Sequence, residues 1–375
     1  MTSIGGAEMV DWNLAVATAT RLVRPGPEVS RDEARAVVAE LRRHAKSSEE
    51  HVRSFTRMGT EATHDTPVLV VDRAGWVRAN VAGFREILKP LLDKMQDRRT
   101  GPGNAVLGAV GGKVTGVELG MLLSFLASRV LGQYETFAPA TRDLPAGANG
   151  GGRLLLVAPN IVHVERELDV DPHDFRLWVC LHEETHRTQF TAVPWLRDHL
   201  EAEIQSFLGE TEVDPMTVLE RVREAAQTFA GGRTDAPDGE EPEGGRSLVE
   251  LVQTPAQREI LARLTAVMSL LEGHADFVMD GVGPDVVPSV GEIREKFQQR
   301  RARGASRLDQ ALRKLLGLDA KLRQYRDGER FVRAVVDEVG MDGFNRVWTS
   351  PNTLPTKAEI AKPADWVARV HRKGD

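Results

Sequence analysis

Apolar residues recur along most of this chain at the spacing of one helix face, and runs typical of strands are few. Local signals support several helices: Ser30 and Glu33 have the spacing of a capping box, and Asp171-Pro172 is typical of a helix start. The pattern predicts a mainly α protein (α+β) with a few short strands. Helices are expected at 31–57, 81–95, 115–131, 172–191, 257–279, 293–316 and 329–339, and strands at 68–71 and 154–158.

Two stretches rich in helix-breaking residues interrupt this pattern. Residues 100–113 contain five glycines and one proline, which predicts a loop. A phosphate-binding loop is disfavoured there, because Gly112-Lys113 is followed by Val114 instead of Ser or Thr. Residues 230–245 are rich in Gly, Pro, Asp and Glu and almost lack large apolar side chains, so a mobile insertion is expected.

Composition excludes several classes of partner. The net charge of -6 is modest and Lys and Arg are dispersed, so no nucleic-acid partner is expected. No apolar run approaches the roughly 20 residues of a membrane span, which argues against a membrane protein. The single cysteine, Cys180, excludes an intramolecular disulfide framework, and the first residues lack a signal-peptide pattern. A cytoplasmic protein is expected, with its oligomeric state left open.

The segment His182-Glu183-Glu184-Thr185-His186 carries the clearest chemical signal. Two histidines four residues apart on a helix project from one face and can bind one zinc ion together. Glu183 lies about 100° around the helix, where it can reach a water on the metal and act as general base. The alternative is an amphipathic helix with two surface histidines, which the many apolar neighbours of the motif disfavour.

A third ligand must come from another part of the chain, because catalytic zinc sites usually use three protein ligands. Glu272 is the preferred candidate, since it lies in a strongly apolar helix where an unpaired carboxylate is costly. Asp276, one turn later, could accept the free ring N–H of a ligand histidine. His274 is the rival ligand; otherwise it is expected near the ligands or in packing. The alternative interpretation of both acids is that they lie on the solvated edge of an ordinary helix and bind no metal.

These residues resemble a known family. His182-Glu183-x-x-His186 followed by Glu272-x-x-x-Asp276 is similar to the gluzincin pattern, in which two His and one Glu bind zinc and the Asp supports a ligand histidine. With residues 181–190 and 272–276 and the Pro351-x-x-Leu354-Pro355 segment, the chain resembles the actinobacterial zincin-like metallopeptidase type 2 family over most of its length. That family has also been associated with biosynthesis of a deazaflavin coenzyme, for which no chemistry is evident in these residues.

The resemblance implies a zincin-like core with extra helices, and two regions are expected: a mainly helical N-terminal region, 1–113, and a metal-binding region, 114–375, which could also form one continuous domain. The interval between His186 and Glu272 is much longer than in thermolysin-like enzymes, so the substrate cleft cannot be transferred from them.

The expected function is zinc-dependent hydrolysis of an amide bond in a peptide or small amide. Zinc would lower the pKa of a water, Glu183 would take its proton, and the hydroxide would attack a carbonyl. Tyr134, Tyr325, His199 and His274 are candidates by residue type to stabilise the oxyanion, and the 154–158 strand could align a peptide or be a plain core strand. The alternatives are a non-catalytic binding or scaffold protein stabilised by zinc and a helical interaction protein without metal.

Overall fold

The computed structural model describes residues 10–59, 66–97, 104–137, 152–210, 254–303 and 318–371. In these ranges the chain is mainly helical, as predicted. The strands are β1 (Val68–Val71), β2 (Gly132–Glu135) and β3 (Arg153–Val157). The helices are α1 (Trp12–Leu22), α2 (Arg31–Thr56), α3 (Arg73–Asp97), α4 (Asn104–Ala127), α5 (Ala158–Leu168), α6 (Pro172–Ala192), α7 (Pro194–Gly209), α8 (Pro255–Gly281), α9 (Val290–Arg303), α10 (Leu318–Phe344), α11 (Lys357–Ala361) and α12 (Pro363–His371).

The ends of the central helices are fixed by side-chain caps. Ser30 accepts the Glu33 amide at the start of α2, and Asp171 accepts the Asp174 amide at the start of α6. A full capping box of Thr254 and Gln257 begins α8. The predicted helices at 31–57, 172–191 and 257–279 are therefore confirmed to within two residues at each end.

The three strands form one small sheet in the order β1-β3-β2. β1 is parallel to β3, with Val68 opposite Leu154, whereas β2 is antiparallel to β3, with Gly132 opposite Leu156. The β3 residues Leu154 to Val157 are fully buried, so β3 is the central core strand. β2 was not predicted, because its Gly-Gln-Tyr-Glu sequence has no apolar alternation.

Helix α6, which carries the HEETH segment, lies at the centre of the fold. It packs against α2 and α5 on one side, against α8 on another, and against β2 and β3. Thirteen of its residues are buried, including Phe175, Cys180 and Leu181. Burial of a polar side chain without a hydrogen-bond partner costs free energy. The histidines and acids of this buried helix therefore need partners within the protein.

Helix α8 is held against α10 by a close backbone contact. A methyl group built on Gly273 would lie 2.1 Å from the carbonyl carbon of Gly328, and one built on Gly328 would lie 1.9 Å from the carbonyl oxygen of Ser269. Both distances are below van der Waals contact, so the two backbones approach this closely only because neither position carries a Cβ.

Two expectations about local structure were wrong. The loop predicted at 100–113 is helical from Asn104 onward, since α4 begins there. Each helical glycine costs only about 1 kcal/mol, and packing of α4 against α1 overrides that preference. The helix predicted at 81–95 already begins at Arg73, because the carboxylate of Asp72 accepts the Gly75 amide 2.6 Å away.

Some predictions fall outside the described residues. The insertion at 230–245 does so entirely, and of the helix predicted at 293–316 only the part up to Arg303 is described, within α9. The proposed boundary at residue 113 stays a prediction, although that position lies within α4. In the part of the chain that the structure describes, no helix combines the length and apolar character of a membrane span.

Candidate metal centre

Helix α6 presents His182 and His186 from one face, as their spacing predicted. Their Nε2 atoms are 3.3 Å apart, and the two rings meet edge to face with centroids separated by 4.8 Å. Both residues are half-buried at the wall of a cavity. Two imidazole nitrogens that face each other at this distance are the arrangement of a chelating pair.

Helix α8 brings Glu272 to the same point. Its Oε2 atom is 3.7 Å from Nε2 of His182 and 3.8 Å from Nε2 of His186, too far for a hydrogen bond to either ring. All three atoms lie within 4.8 Å of one another. Two imidazoles and one carboxylate that converge in this way are a donor set that fits a zinc ion.

The backbone of α8 fixes the tautomer of His186 through Gln189. The Gln189 Nε2 atom is 2.9 Å from the carbonyl oxygen of Leu271, which can only accept, so this atom is the amide nitrogen. The amide oxygen then faces Nδ1 of His186 at 3.0 Å, and Nδ1 must carry the proton. The Nε2 atom of His186 is left with a free lone pair directed at the other two donors.

The hydrogen bonds from Leu271 through Gln189 to His186 form a relay. His274 lies behind this relay and not beside the three converging atoms. Its Nδ1 atom is 3.0 Å from Nε2 of Gln189, and its ring packs against Phe344 and Trp348. Burial lowers the pKa of His274 to about 3, so the ring is neutral and can accept the amide proton. This geometry agrees with the packing position expected for His274 if it is not a ligand.

Asp276 lies beside the other histidine. Its Oδ1 atom is 3.7 Å from Nδ1 of His182, and the residue is buried. The structure therefore places both α8 acids against His182, Glu272 at the Nε2 side and Asp276 at the Nδ1 side. The distance from Asp276 to Nδ1 is also too long for a hydrogen bond, but a carboxylate on the side of the outer ring nitrogen is placed to orient a ligand histidine.

Glu183 is almost fully buried and rests on the first residue of β2. A methyl group built on Gly132 would lie 2.5 Å from the Cδ atom of Glu183, so the carboxylate occupies space that only a glycine leaves open. Burial, and then the negative charge of Glu272, raise the pKa of Glu183 well above its usual value. Gly132 was missed at the sequence level because nothing in the sequence places β2 beside α6.

The second glutamate of the motif has a different environment. Glu184 is fully buried on another side of α6, where its carboxylate is 2.8 Å from Nε of Arg187. Arg187 also reaches Oε2 of Glu49 on α2, at 3.1 Å. Burial raises the pKa of Glu184 to about 7, and the Arg187 guanidinium opposes this shift. Glu184 therefore joins α6 to α2 and does not line the cavity.

A cavity of about 910 Å³ opens beside these groups. Its wall includes His182, Glu183, His186 and Glu272. Most of the remaining wall is apolar, with Phe84, Phe125, Phe190, Leu264 and Met268 among its residues. The size lies at the upper end of the range of about 300–1,000 Å³ that is typical of ligand pockets.

Of the candidates for oxyanion stabilisation, Tyr134 lines the cavity, whereas His199 and His274 do not. Tyr134 stacks on Phe190 and is hydrogen-bonded to Thr66, and burial raises its pKa to about 12. The side chain of Tyr325 lies outside the described part of the structure. Of the two interpretations of the 154–158 strand, the structure agrees with the plain core strand, because β3 is buried between β1 and β2; the strand that borders the site is β2.

Comparisons with known proteins agree with this geometry. A family model described as zincin-like metallopeptidase matches residues 10–367. A crystal structure from Chloroflexus aurantiacus, provisionally described as a hydrolase with a novel fold, shares 31% sequence identity and superposes with a TM-score of 0.68 over 97% of this chain and 100% of that one. A search of curated proteins finds no significant match. The family implies a metal ion, and both similarities support a metallohydrolase in general. With nearly its whole length matched, the chain belongs to the zincin-like metallopeptidase family.

Proposed function

We propose that this protein is a zinc-dependent hydrolase of amide bonds, with His182, His186 and Glu272 as the metal ligands and Glu183 as the general base. One observation supports this above all: three donor atoms from two helices converge at 3.3–3.8 Å on the wall of a large cavity, with a buried carboxylate next to them. A site that served stability alone would not require the cavity.

The zinc ion, when bound, supplies a water of lowered pKa and a Lewis acid for the substrate carbonyl. Glu183 takes the proton from the water and passes it to the leaving amine. A carboxylate can perform both steps, because it accepts the proton from the water and holds it until the amine leaves. Asp276 is placed on the Nδ1 side of His182 to orient its ring, and Gln189 holds His186 in the tautomer that binds a metal through Nε2.

The walls of the cavity indicate the kind of substrate. Aromatic and aliphatic side chains surround the site, so an apolar group next to the amide bond is expected. Among the described residues, no strand pairs with the second edge of β2, which begins at Gly132 beside Glu183. An extended peptide that added to this edge would pass close to the base. We therefore favour a short apolar peptide over a folded protein as the substrate.

Removal of metal tests this function directly. The protein freed of metal with a chelator should cleave nothing in a mixed pool of short peptides, and added Zn²⁺ should restore new termini detectable by mass spectrometry. The His186→Ala variant should stay inactive with zinc, whereas His163→Ala, at an exposed histidine on α5, should behave as wild type. The proposal would be contradicted if cleavage persisted in the presence of the chelator, or if the zinc-loaded protein cleaved no peptide.

Zinc affinity should also depend on Gln189. We expect Gln189→Leu to weaken zinc binding at this centre about 10–100-fold, because His186 loses the acceptor that fixes its tautomer. Competition with a chromophoric chelator measures the affinity. Gln205→Leu is the matched control. Gln205 lies on α7, and its side-chain amide donates an equivalent hydrogen bond to the backbone carbonyl of Ile87 on α3. Equal affinities in the two variants would argue against the relay.

A further inference from the structure

A second cluster of His and Glu side chains lies outside the candidate metal centre. Helix α2 contributes Glu40 and His44, one turn apart, and the first turn of α6 contributes His173. One ligand atom of each residue lies within 4.8 Å of the other two. Within the described ranges only this cluster and the group of His182, His186 and Glu272 have that spacing.

Two distances in the cluster are close to those expected around one tetrahedral ion. Oε1 of Glu40 is 2.9 Å from Nδ1 of His173, which is a hydrogen-bond distance, and 3.5 Å from Nε2 of His44. Ligand atoms bound to zinc at the usual lengths lie about 3.3 Å from one another in a tetrahedral site. The three atoms at the candidate centre are 3.3–3.8 Å apart, and both groups lie within the same 4.8 Å limit.

His44 supplies an independent observation. Its side chain is only 8% exposed, and its Nε2 atom is shielded from solvent and makes no hydrogen bond. The Glu40 carboxylate, one turn away on the same helix, lies 3.5 Å from this atom. Buried ring nitrogens normally have a partner, and an ion between Nε2 and this carboxylate would be one.

A neighbouring arginine orients the Glu40 carboxylate. Arg176 binds the other carboxylate oxygen, Oε2, which leaves Oε1 directed at the two imidazoles.

We propose that Glu40, His44 and His173 form a second metal site, which binds a divalent ion of the zinc class and links α2 to the first turn of α6. Imidazole with carboxylate is a donor set for such ions. Nine residues of helix separate His173 from His182, or about 13 Å, so the two ions would not share one reaction centre. The second site therefore stabilises the position of α6 against α2. The His173 side chain is 64% exposed, which gives an ion access from solvent.

Counting bound ions in defined variants tests this proposal. Full-length protein freed of metal is titrated with Zn²⁺ alone at micromolar concentration, and bound metal is counted after removal of the free ion. We expect two ions in wild type and one in His173→Ala, a change at an exposed residue that should not disturb folding. His163→Ala is the matched control, since His163 faces Glu167 one turn away on α5 at 3.9 Å but belongs to no such cluster, and it should keep two.

The design separates this site from the candidate centre. His186→Ala should bind one ion and the double variant with His173→Ala none. Zinc should raise the Tm of His186→Ala but leave the Tm of the double variant unchanged, because an ion held between two helices stabilises the folded state. A single ion in wild type that His186→Ala removes would overturn the second site, as would two ions in His173→Ala or a second ion bound only at millimolar zinc. One ion that persists in His186→Ala and disappears in His173→Ala would instead overturn the candidate centre.

Discussion

Replacement of Glu183 by glutamine is expected to lower kcat by about 10²–10⁴-fold while zinc content and affinity stay at their wild-type values. Glutamine keeps the shape of the side chain against Gly132 but cannot take a proton, and Glu183 is not among the three converging donor atoms. Steady-state hydrolysis of a peptide found in the zinc-restored digest measures kcat, and metal analysis of the same sample measures zinc. Wild-type turnover in this variant would favour the scaffold alternative, in which the metal serves stability alone.

The position of Glu183 can be tested without removing its carboxylate. Gly132→Ala should push the side chain aside, because the added methyl group overlaps its Cγ and Cδ atoms at 2.5 Å. A loss of turnover with unchanged zinc content would place the effect on the base and not on the ligands. Glu184→Gln is the control within the same motif: it should change stability, through the Arg187 pair, and leave zinc content unchanged.

Gly273→Ala is expected to lower the free energy of unfolding by about 3 kcal/mol or more, the upper end of what overpacking usually costs. The added methyl group would lie 2.1 Å from the Gly328 carbonyl carbon and 2.4 Å from the Glu329 amide nitrogen. Both are backbone atoms, so no side-chain rotation relieves the overlap and α8 must move away from α10. Denaturant unfolding measures the change.

The same substitution should also weaken zinc binding, because a shift of α8 moves the neighbouring residues Glu272 and Leu271. Glu272 is a proposed ligand, and the Leu271 carbonyl accepts the hydrogen bond that fixes Gln189. Gly291→Ala, on α9, is the matched control, since the added methyl group would have no neighbouring atom within 4 Å. Its stability should stay unchanged or rise by up to about 1 kcal/mol, because alanine favours a helix over glycine. Equal stability of the two variants would contradict the close crossing of α8 and α10.

Much of this fold could be predicted because its signals are local. The caps at Ser30, Asp171 and Thr254 and the helical spacing of apolar residues each act within a turn or two. Where packing competes with local preference, prediction failed: α4 runs through three glycines of the expected loop, and β2 pairs with β3 despite a sequence with little strand character.

By itself the sequence determined the family, the mainly helical class and the residues proposed for the site, because a four-residue helical spacing limits which side chains can share a face. Only the tertiary structure decided that Gly132 leaves room for Glu183, that Glu184 pairs with Arg187 away from the cavity, and that Gln189 sets the tautomer of His186. It also brought Glu40 and His44 to His173. These relations depend on how whole helices and strands pack against one another, which no local pattern encodes.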